Sequence, residues 1–365
     1  MHVGDCKLRY HRFLKDHFHL GRSSHFITPP VNARKRQHRL PRCLFIVTNA
    51  CQSQPMNILT TRAGAPLSRL TFGTMQFGGT ADAAASQAMF DAARAGGINH
   101  FDTAVLYTGG ASETLLGRMI KANRDDIYLA TKVGYAGGAS HANITEHFDM
   151  CRQHLQEDAV DLLYMHRFDD DTPLEETFNT LAELQSRGLI RHIGVSNYAA
   201  WQVMKAQSVA KSLGTQIDVI QPMYSLVKRQ SEVEIFPMSA DQGITVVPYS
   251  PLGGGLLTGK YAKGGTGRLT TDMRYQARYA QDWMHETAKQ LTALGAELGV
   301  DPATLAVAWA ANHAVKPLPI ISARSEEQLR PSLLAEKFTM TPAIYDRITA
   351  LSITPPPATD RLEEA

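Results

Sequence analysis

Asp102 and Tyr107 lie in the stretch Phe101-Asp102-Thr103-Ala104-Val105-Leu106-Tyr107, Lys132 closes the run Ile127-Tyr128-Leu129-Ala130-Thr131, and His166 closes Val160-Asp161-Leu162-Leu163-Tyr164-Met165. A carboxylate, a phenol, an ammonium and an imidazole are together the parts of a site that delivers a proton to a carbonyl. Reducing a carbonyl puts negative charge on oxygen as hydride reaches carbon, and a proton must arrive there. A free tyrosine, with a pKa of about 10, is a reluctant donor. A neighbouring ammonium favours the phenolate left behind, and a carboxylate behind the ammonium fixes its position. Imidazole adds a hydrogen bond to the developing oxyanion.

Each residue also has a plainer reading. Asp102 before Thr103 is a possible turn or helix cap, and Tyr107 is one of 12 tyrosines. Lys132 reads equally as a solvated strand end, and His166 as a satisfied core histidine. Their placement at three consecutive strand ends is what favours a joint role.

The elements that must position them follow from Leu70 onward, where short apolar runs alternate with amphipathic stretches, the pattern of βα units and a parallel sheet. Strands are expected at 70–74, 98–103, 127–132, 160–166, 190–195, 217–222, 244–249 and 317–321. Helices are expected near 82–96, 112–122, 144–157, 173–187, 199–213, 231–242, 285–298 with 302–312, and 325–337. Thr172-Pro173-Leu174-Glu175 and Ser325-Glu326-Glu327-Gln328 both read as capping boxes. Eight strands with eight crossovers favour a single closed (β/α)8 TIM barrel over an open doubly wound sheet. In such a barrel, functional groups gather at the C-terminal strand ends.

The glycine-rich turns constrain the nucleotide question. Gly254-Gly255-Leu256-Leu257-Thr258-Gly259-Lys260 begins like a phosphate loop, but Tyr261 stands where the magnesium-binding Ser/Thr belongs. It reads as a loop whose amides and Lys260 meet phosphates, without nucleotide hydrolysis. No G-x-G-x-x-G follows an early strand, so a Rossmann site has no support.

The chain has 365 residues, 44% of them hydrophobic and 20% charged, which fits a globular enzyme with a large core. Its net charge of +2 hides an asymmetry. Residues 1–55 hold ten Lys/Arg against Asp5 and Asp16, or +8, leaving −6 for the rest. The mildly acidic body argues against a nucleic-acid partner. No apolar run approaches the roughly 18 residues of a membrane helix, so no spanning segment is expected. Cys6, Cys43 and Cys51 fall in the first segment and Cys151 stands alone beyond it, a usage that fits a reducing cytoplasm. Residues 1–55 read as a basic, disordered leader, residues 56–355 as the barrel, and 356–365 as a tail. A transit peptide, a nucleic-acid arm at Arg34-Lys35-Arg36 and a lipoprotein signal ending at Cys51 are weaker readings of the leader.

The motifs, taken in order, resemble those of the aldo-keto reductases. Asp102 to Tyr107 followed by Gly110-Ala111-Ser112-Glu113-Thr114-Leu115-Leu116-Gly117 looks like that family's first signature. Leu129-Ala130-Thr131-Lys132 resembles its lysine strand, and Asp161 to Arg167 its histidine strand. Ile193-Gly194-Val195-Ser196-Asn197 and Pro248-Tyr249-Ser250-Pro251-Leu252-Gly253 match further blocks. The likeness runs from about Leu70 to Ala350; residues 1–55 lie outside it.

The resemblance implies an NADP(H)-dependent reductase of aldehydes or ketones. Tyr107 would be the general acid, Lys132 and Asp102 would tune it, and His166 would orient the carbonyl. Ser196, Asn197 and Gln221 match positions that hold the nicotinamide carboxamide, and Tyr249 the ring that stacks on it. Gly73, Thr74 and Met75 join this set at the first strand end. Ser250, Leu252, Gly254 and Lys260 fall where the family wraps the pyrophosphate. Ser322, Ala323, Arg324, Gln328 and Ser332 fall where it holds the adenosine end. Two of these depart from the family pattern, which often has Gly in place of Ser322 and Asn in place of Ser332. No metal is implied.

The expected partner is a small carbonyl compound, on a monomer or small homo-oligomer. Met75, Phe77 and Phe168 suit an apolar pocket wall. The helix-poor stretch from Gly264 to Trp283 reads either as a cover for the mouth or as a surface connector. Two other functions remain: a non-catalytic NADPH-binding regulatory subunit, and an aldolase forming a Schiff base on Lys132.

Overall fold

A computed structural model describes residues 59–361 and Glu363. The leader expected over residues 1–55 lies outside the described residues. Eight strands alternate with helices: β1 (Thr71–Gly73), β2 (His100–Asp102), β3 (Tyr128–Val133), β4 (Val160–Met165), β5 (Ile190–Ser196), β6 (Val219–Gln221), β7 (Thr245–Val246) and β8 (Ile320–Ile321). They pair in the order β7-β6-β5-β4-β3-β2-β1-β8, each pair parallel. The two ends meet, because Leu318 N donates to Val246 O at 2.9 Å and Ile320 N to Pro248 O at 2.8 Å. The sheet therefore curls into the expected (β/α)8 barrel.

Burial on both faces explains the continuous apolar runs of β3 and β4. Ile127, Leu129 and Val133 join the large outer core between sheet and helices. Tyr128 and Ala130 join Leu162, Tyr164, Val219 and Ile320 in a second core inside the barrel. Period-two alternation thus sends Lys132 inward, in line with Tyr128 and Ala130.

Where strands are shorter than expected, proline accounts for it. β8 keeps only Ile320–Ile321 of 317–321, since Pro317 and Pro319 offer no amide to a ladder. β7 stops at Val246, two residues before Pro248. At the N-terminal end of the barrel, residues 59–67 form an unanticipated turn closed by an antiparallel bridge between Thr60 and Pro66. Leu59 packs there into the interior core.

Helix starts mostly follow their capping signals. The Asp82 carboxylate accepts from Ala85 N at 2.8 Å, beginning the helix Ala83–Ala95. Ser325 Oγ accepts from Gln328 N at 3.3 Å, beginning Glu326–Leu334. The box at Thr172 does not form. Pro173 is itself the cap of Leu174–Ser186, and Thr172 Oγ1 donates to Asp169 Oδ2 at 2.6 Å instead. Asp169 competes successfully because its carboxylate already organises the turn, accepting from Ala139 N at 2.8 Å and Asp171 N at 3.2 Å.

Candidate active site

The carboxyl ends of β2, β3 and β4 bring the four expected residues together. Lys132, fully buried, donates through Nζ to three acceptors: Asp102 Oδ1, Thr103 O at 2.8 Å and Tyr107 OH at 3.3 Å. All three ammonium hydrogens therefore have acceptors, which fixes the head group without water. Asp102 takes its second donor from Gln221 Nε2, at 2.9 Å on Oδ2. Burial alone would lower the Lys132 pKa, but the Asp102 carboxylate, with Tyr107, reverses this and holds it above the ordinary lysine value.

Tyr107 opens a short 3₁₀ turn after β2, in which Thr108, Gly109 and Gly110 all have positive φ. That sharp turn returns the phenol over the strand end. Its ring meets the His166 ring at 5.9 Å and 79°. Burial pushes the phenol pKa up more than the Lys132 ammonium pulls it down. Spacing along the chain points only to the ammonium, not to this desolvation. In the folded site the phenol keeps its proton, the form a donor needs. His166 is pushed down to about 3 by burial and by the Lys132 charge, so its imidazole is neutral at neutral pH. Its Nδ1 is buried and has no hydrogen-bond partner.

Beside this quartet, the residues expected around a nicotinamide form one hydrogen-bonded chain. Tyr249 OH donates to Asn197 Oδ1 at 2.7 Å, and Asn197 Nδ2 donates to His166 O at 2.9 Å and to Ser196 Oγ at 3.2 Å. Ser196 Oγ donates to Gln221 O at 2.9 Å. Asn197 has φ 57°, a left-handed conformation that asparagine tolerates better than most residues. At the first strand end, Gly73 lies against β8, where a Cβ would strike Ile320. Thr74 is buried with its hydroxyl bonded to Asp102 O and Ser112 Oγ, so its side chain belongs to the wall behind the mouth. Met75 is partly exposed.

The turn after β7 carries positive φ at Ser250, Gly253, Gly254, Gly255 and Gly259, and Leu252 begins its first 3₁₀ turn. Lys260 is pushed below the usual lysine value by burial and then by Arg324 and Arg268, three cations sharing one patch. Directly after β8, Ser322 Oγ is buried without a partner. Gln328 is exposed on the helix after β8, and Ser332 is buried there.

The stretch Gly264–Trp283 is not helix-poor, as it holds the short helices Arg268–Thr271 and Met273–Arg278. Tyr275 is flanked by Arg268 and Arg278, whose guanidinium carbons lie 5.2 and 5.1 Å from its ring. A Cβ on Gly254 would touch that ring, and Tyr275 adds to the upward push on the Tyr107 phenol. This stretch is therefore packed at the mouth.

Phe77 does not line the pocket: it is 1% exposed and packs on Phe72 at 5.6 Å. Two wall residues escaped the sequence reading. Tyr135 is 46% exposed with its ring 5.0 Å from that of His166, and Trp201 is 62% exposed with its ring 6.1 Å from that of Phe168. Tyr135 lies just beyond the expected end of β3, which was the signal available for it, whereas Trp201 falls within the expected helix 199–213 and carried no such signal.

A family model described as the aldo/keto reductase family matches residues 69–353. A probable voltage-gated potassium channel subunit beta of Oryza sativa subsp. japonica is 31% identical over 321 residues, 82% of this chain and 97% of that protein. The uncharacterized oxidoreductase YrpG of Bacillus subtilis (strain 168) is 33% identical over 303 residues, 76% of this chain and 90% of that protein. Aflatoxin B1 aldehyde reductase member 2 of Homo sapiens is 37% identical over 195 residues, 52% of this chain and 54% of that protein. With the barrel and the order of its strand-end motifs, the match over most of the length leaves one assignment: this chain belongs to the aldo/keto reductase family.

Proposed function

We propose that this protein reduces an aldehyde or ketone to the alcohol, using NADPH, with Tyr107 delivering the proton. The observation that carries this reading is Lys132, whose one ammonium is bonded to Asp102, Thr103 O and Tyr107 OH. When bound, NADPH supplies the hydride. The residues at hand suit it. The unpartnered Ser322 hydroxyl and the Lys260, Arg268 and Arg324 cluster call for a hydroxyl-bearing, phosphorylated ligand. Ser196, Asn197 and Gln221 would hold its amide end, with Tyr249 against the ring.

The substrate oxygen would lie between the Tyr107 phenol and the His166 imidazole. As negative charge grows on that oxygen, Tyr107 passes it a proton, and the nearby ammonium stabilises the phenolate. His166, neutral, holds the oxygen through a ring N–H. Lys132 is poorly suited to imine formation, because the Asp102 carboxylate keeps it protonated, whereas an imine needs the free amine. Tyr135, Phe168 and Trp201 around the mouth favour an apolar or aromatic carbonyl compound. For compartment we propose a reducing cytoplasm, consistent with Cys151 being a free, buried thiol. Among the described residues no single helix is long and apolar enough to cross a membrane.

A regulatory role without turnover has one favouring observation, the Oryza sativa relative named as a probable voltage-gated potassium channel subunit beta. The complete Asp102, Tyr107, Lys132 and His166 set favours turnover. Loss of NADPH absorbance with a panel of aldehydes and ketones separates the two, with borohydride trapping alongside. Oxidation without trapping is expected. Cofactor binding without oxidation by any carbonyl would move the reading to the regulator, and trapped adduct on Lys132 to the aldolase.

A further inference from the structure

The barrel interior holds polar groups that the reaction above does not use. TIM-barrel interiors are ordinarily filled with branched apolar side chains. Here, packed with the apolar Ala130, Leu162, Val219, Val247 and Ile320, the inward side chains include two polar groups of residues, one towards each end. Asp102, Lys132, Tyr164 and Gln221 make the upper one, where Lys132 and Tyr164 are register partners. His100, Tyr128 and His192 make the lower one, where His100 and Tyr128 are register partners and His192 pairs with Leu162. The His100 and Tyr128 rings meet edge-on at 5.0 Å, and Tyr128 lies 5.9 Å from His192. Lys132 Nζ stands 5.8 Å from the Tyr164 ring.

Tyr128, Tyr164 and His100 are fully buried, yet Tyr128 OH and His100 Nε2 have no hydrogen-bond partner. Tyr164 OH makes no bond of good geometry either, though Gln221 lies beside it. Three dry polar groups would forfeit a large share of folding stability, and bridging water is the ordinary remedy. His100 Nδ1 lies 2.8 Å from Thr71 Oγ1, which donates to Leu318 O at 3.3 Å. With that hydroxyl hydrogen engaged, Nδ1 is the donor and Nε2 a bare acceptor facing inward.

We propose that Tyr164, Tyr128 and His100 hold ordered water along the barrel axis, and that this file returns protons from His192 at the N-terminal end to Lys132 and Tyr107.

The proposal rests on the reductase reading. After donating to the substrate oxygen, Tyr107 is a phenolate and regains a proton from Lys132. The resulting amine must then take one from elsewhere, so that each carbonyl reduced consumes one solvent proton. Lys132 is fully buried, and Tyr107, partly exposed, is the group between it and the mouth, where Tyr275 packs on Gly254. At the other end, His192 has a side chain 20% exposed, with Nδ1 3.4 Å from Asp218 Oδ2. The charged groups facing the column are Lys132 and Asp102 above and Asp161, Asp218 and Arg191 below. Burial keeps both phenols neutral by pushing their pKa values well up, and keeps His100 neutral by pushing it down to about 3. Neutral hydroxyls and water pass protons without trapping them, while His100 Nε2, an acceptor only, holds the water in place.

The test follows one turnover of 4-nitrobenzaldehyde with stoichiometric NADPH by stopped flow. NADPH absorbance reports hydride transfer, and phenol red in weak buffer reports proton uptake. In the parent, uptake should keep pace with hydride transfer and precede release of the oxidised cofactor. In Tyr128→Phe, hydride transfer should stay within about twofold while uptake slows by about 10-fold or more. Uptake that waits for cofactor release in the parent, or is unchanged in Tyr128→Phe, would overturn the proposal while leaving the reductase standing. A high-resolution crystal structure tests it even in a protein that oxidises no NADPH. Water about 2.7–3.2 Å from Tyr128 OH and His100 Nε2 is expected, and a dry interior rules the file out.

Discussion

Gln221 on β6 donates its amide hydrogen to Asp102 on β2, 2.9 Å from Nε2 to Oδ2, joining opposite sides of the barrel mouth. The carboxylate that holds Lys132 is thereby held itself, from the residue set proposed to grip the nicotinamide. Cofactor binding and the setting of the general acid are in contact through this one bond.

Gln221→Leu removes a donor from a buried carboxylate while nearly keeping the volume. A hydrogen bond to a charged group is worth about 1.5–3 kcal/mol, so urea unfolding of the cofactor-free protein should show a loss of that size. Turnover should fall by about 10-fold or more as Asp102 and Lys132 shift. An unchanged unfolding midpoint would mean that the bond contributes nothing to the fold.

Arg324 stands between β8 and the helix Glu326–Leu334, whose first turn is capped by Ser325. Exposed amides and the helix dipole there favour an anion, and a guanidinium grips phosphate oxygens bidentately. NADPH carries a phosphate on its adenosine ribose where NADH has a hydroxyl. Arg324→Ala should weaken NADPH by roughly 10- to 150-fold, from a contact of about 1.5–3 kcal/mol, and leave NADH nearly unchanged. Fluorescence titration with both cofactors decides it. Equal binding by parent and variant would assign the phosphate to another cation, with Lys260 and Arg268 nearest.

His100, pushed from 6.5 to about 3 by burial, makes a prediction about acid. An unfolded chain protonates this imidazole below about 6.5, while the folded one stays neutral to about 3. The unfolded state then binds more protons through that window, so stability declines as pH falls across it and is untouched above it. The slope should approach about 1.4 kcal/mol per pH unit for this residue. Urea titrations at about pH 7 and about pH 5 should show a smaller decline in His100→Gln than in the parent. Equal declines would mean that His100 is solvated in the folded protein.

Gly117 inverts the usual helix rule. In the interior of Ala111–Ile120, alanine would ordinarily stabilise by up to about 1 kcal/mol. A Cβ at this glycine overlaps the carbonyl of Leu155, the last residue of the helix His141–Leu155. Backbone cannot yield as a side chain does, so Gly117→Ala should destabilise by about 1–3 kcal/mol. A raised melting temperature would show that the two helices separate freely.

Much of this site was legible because a parallel barrel turns strand ends into addresses. Apolar runs located β2, β3 and β4, and the polar residue closing each run marked Asp102, Lys132 and His166. What escaped depends on which way side chains face. Phe77 looked like pocket wall because it follows β1, but its ring is buried against Phe72. Tyr128 and Tyr164 vanished into apolar runs, since only the closed barrel shows that they share a face with Lys132. The helices Arg268–Thr271 and Met273–Arg278 are too short for a helical period to emerge. The Tyr107 phenol was misjudged in one respect, because desolvation is a property of the packed site and no spacing reports it.

The Tyr107 phenol accepts from Lys132 Nζ at 3.3 Å, and its ring meets that of His166 edge-on. The decisive measurement is carbonyl-dependent NADPH oxidation by the parent and by Tyr107→Phe, each first shown by titration to bind NADPH. The parent should turn over, and the variant should bind cofactor within a few-fold of it but turn over roughly 10²-fold or more slowly. A folded Tyr107→Phe protein that reduces carbonyls at nearly the parental rate would contradict the proposal that this phenol delivers the proton.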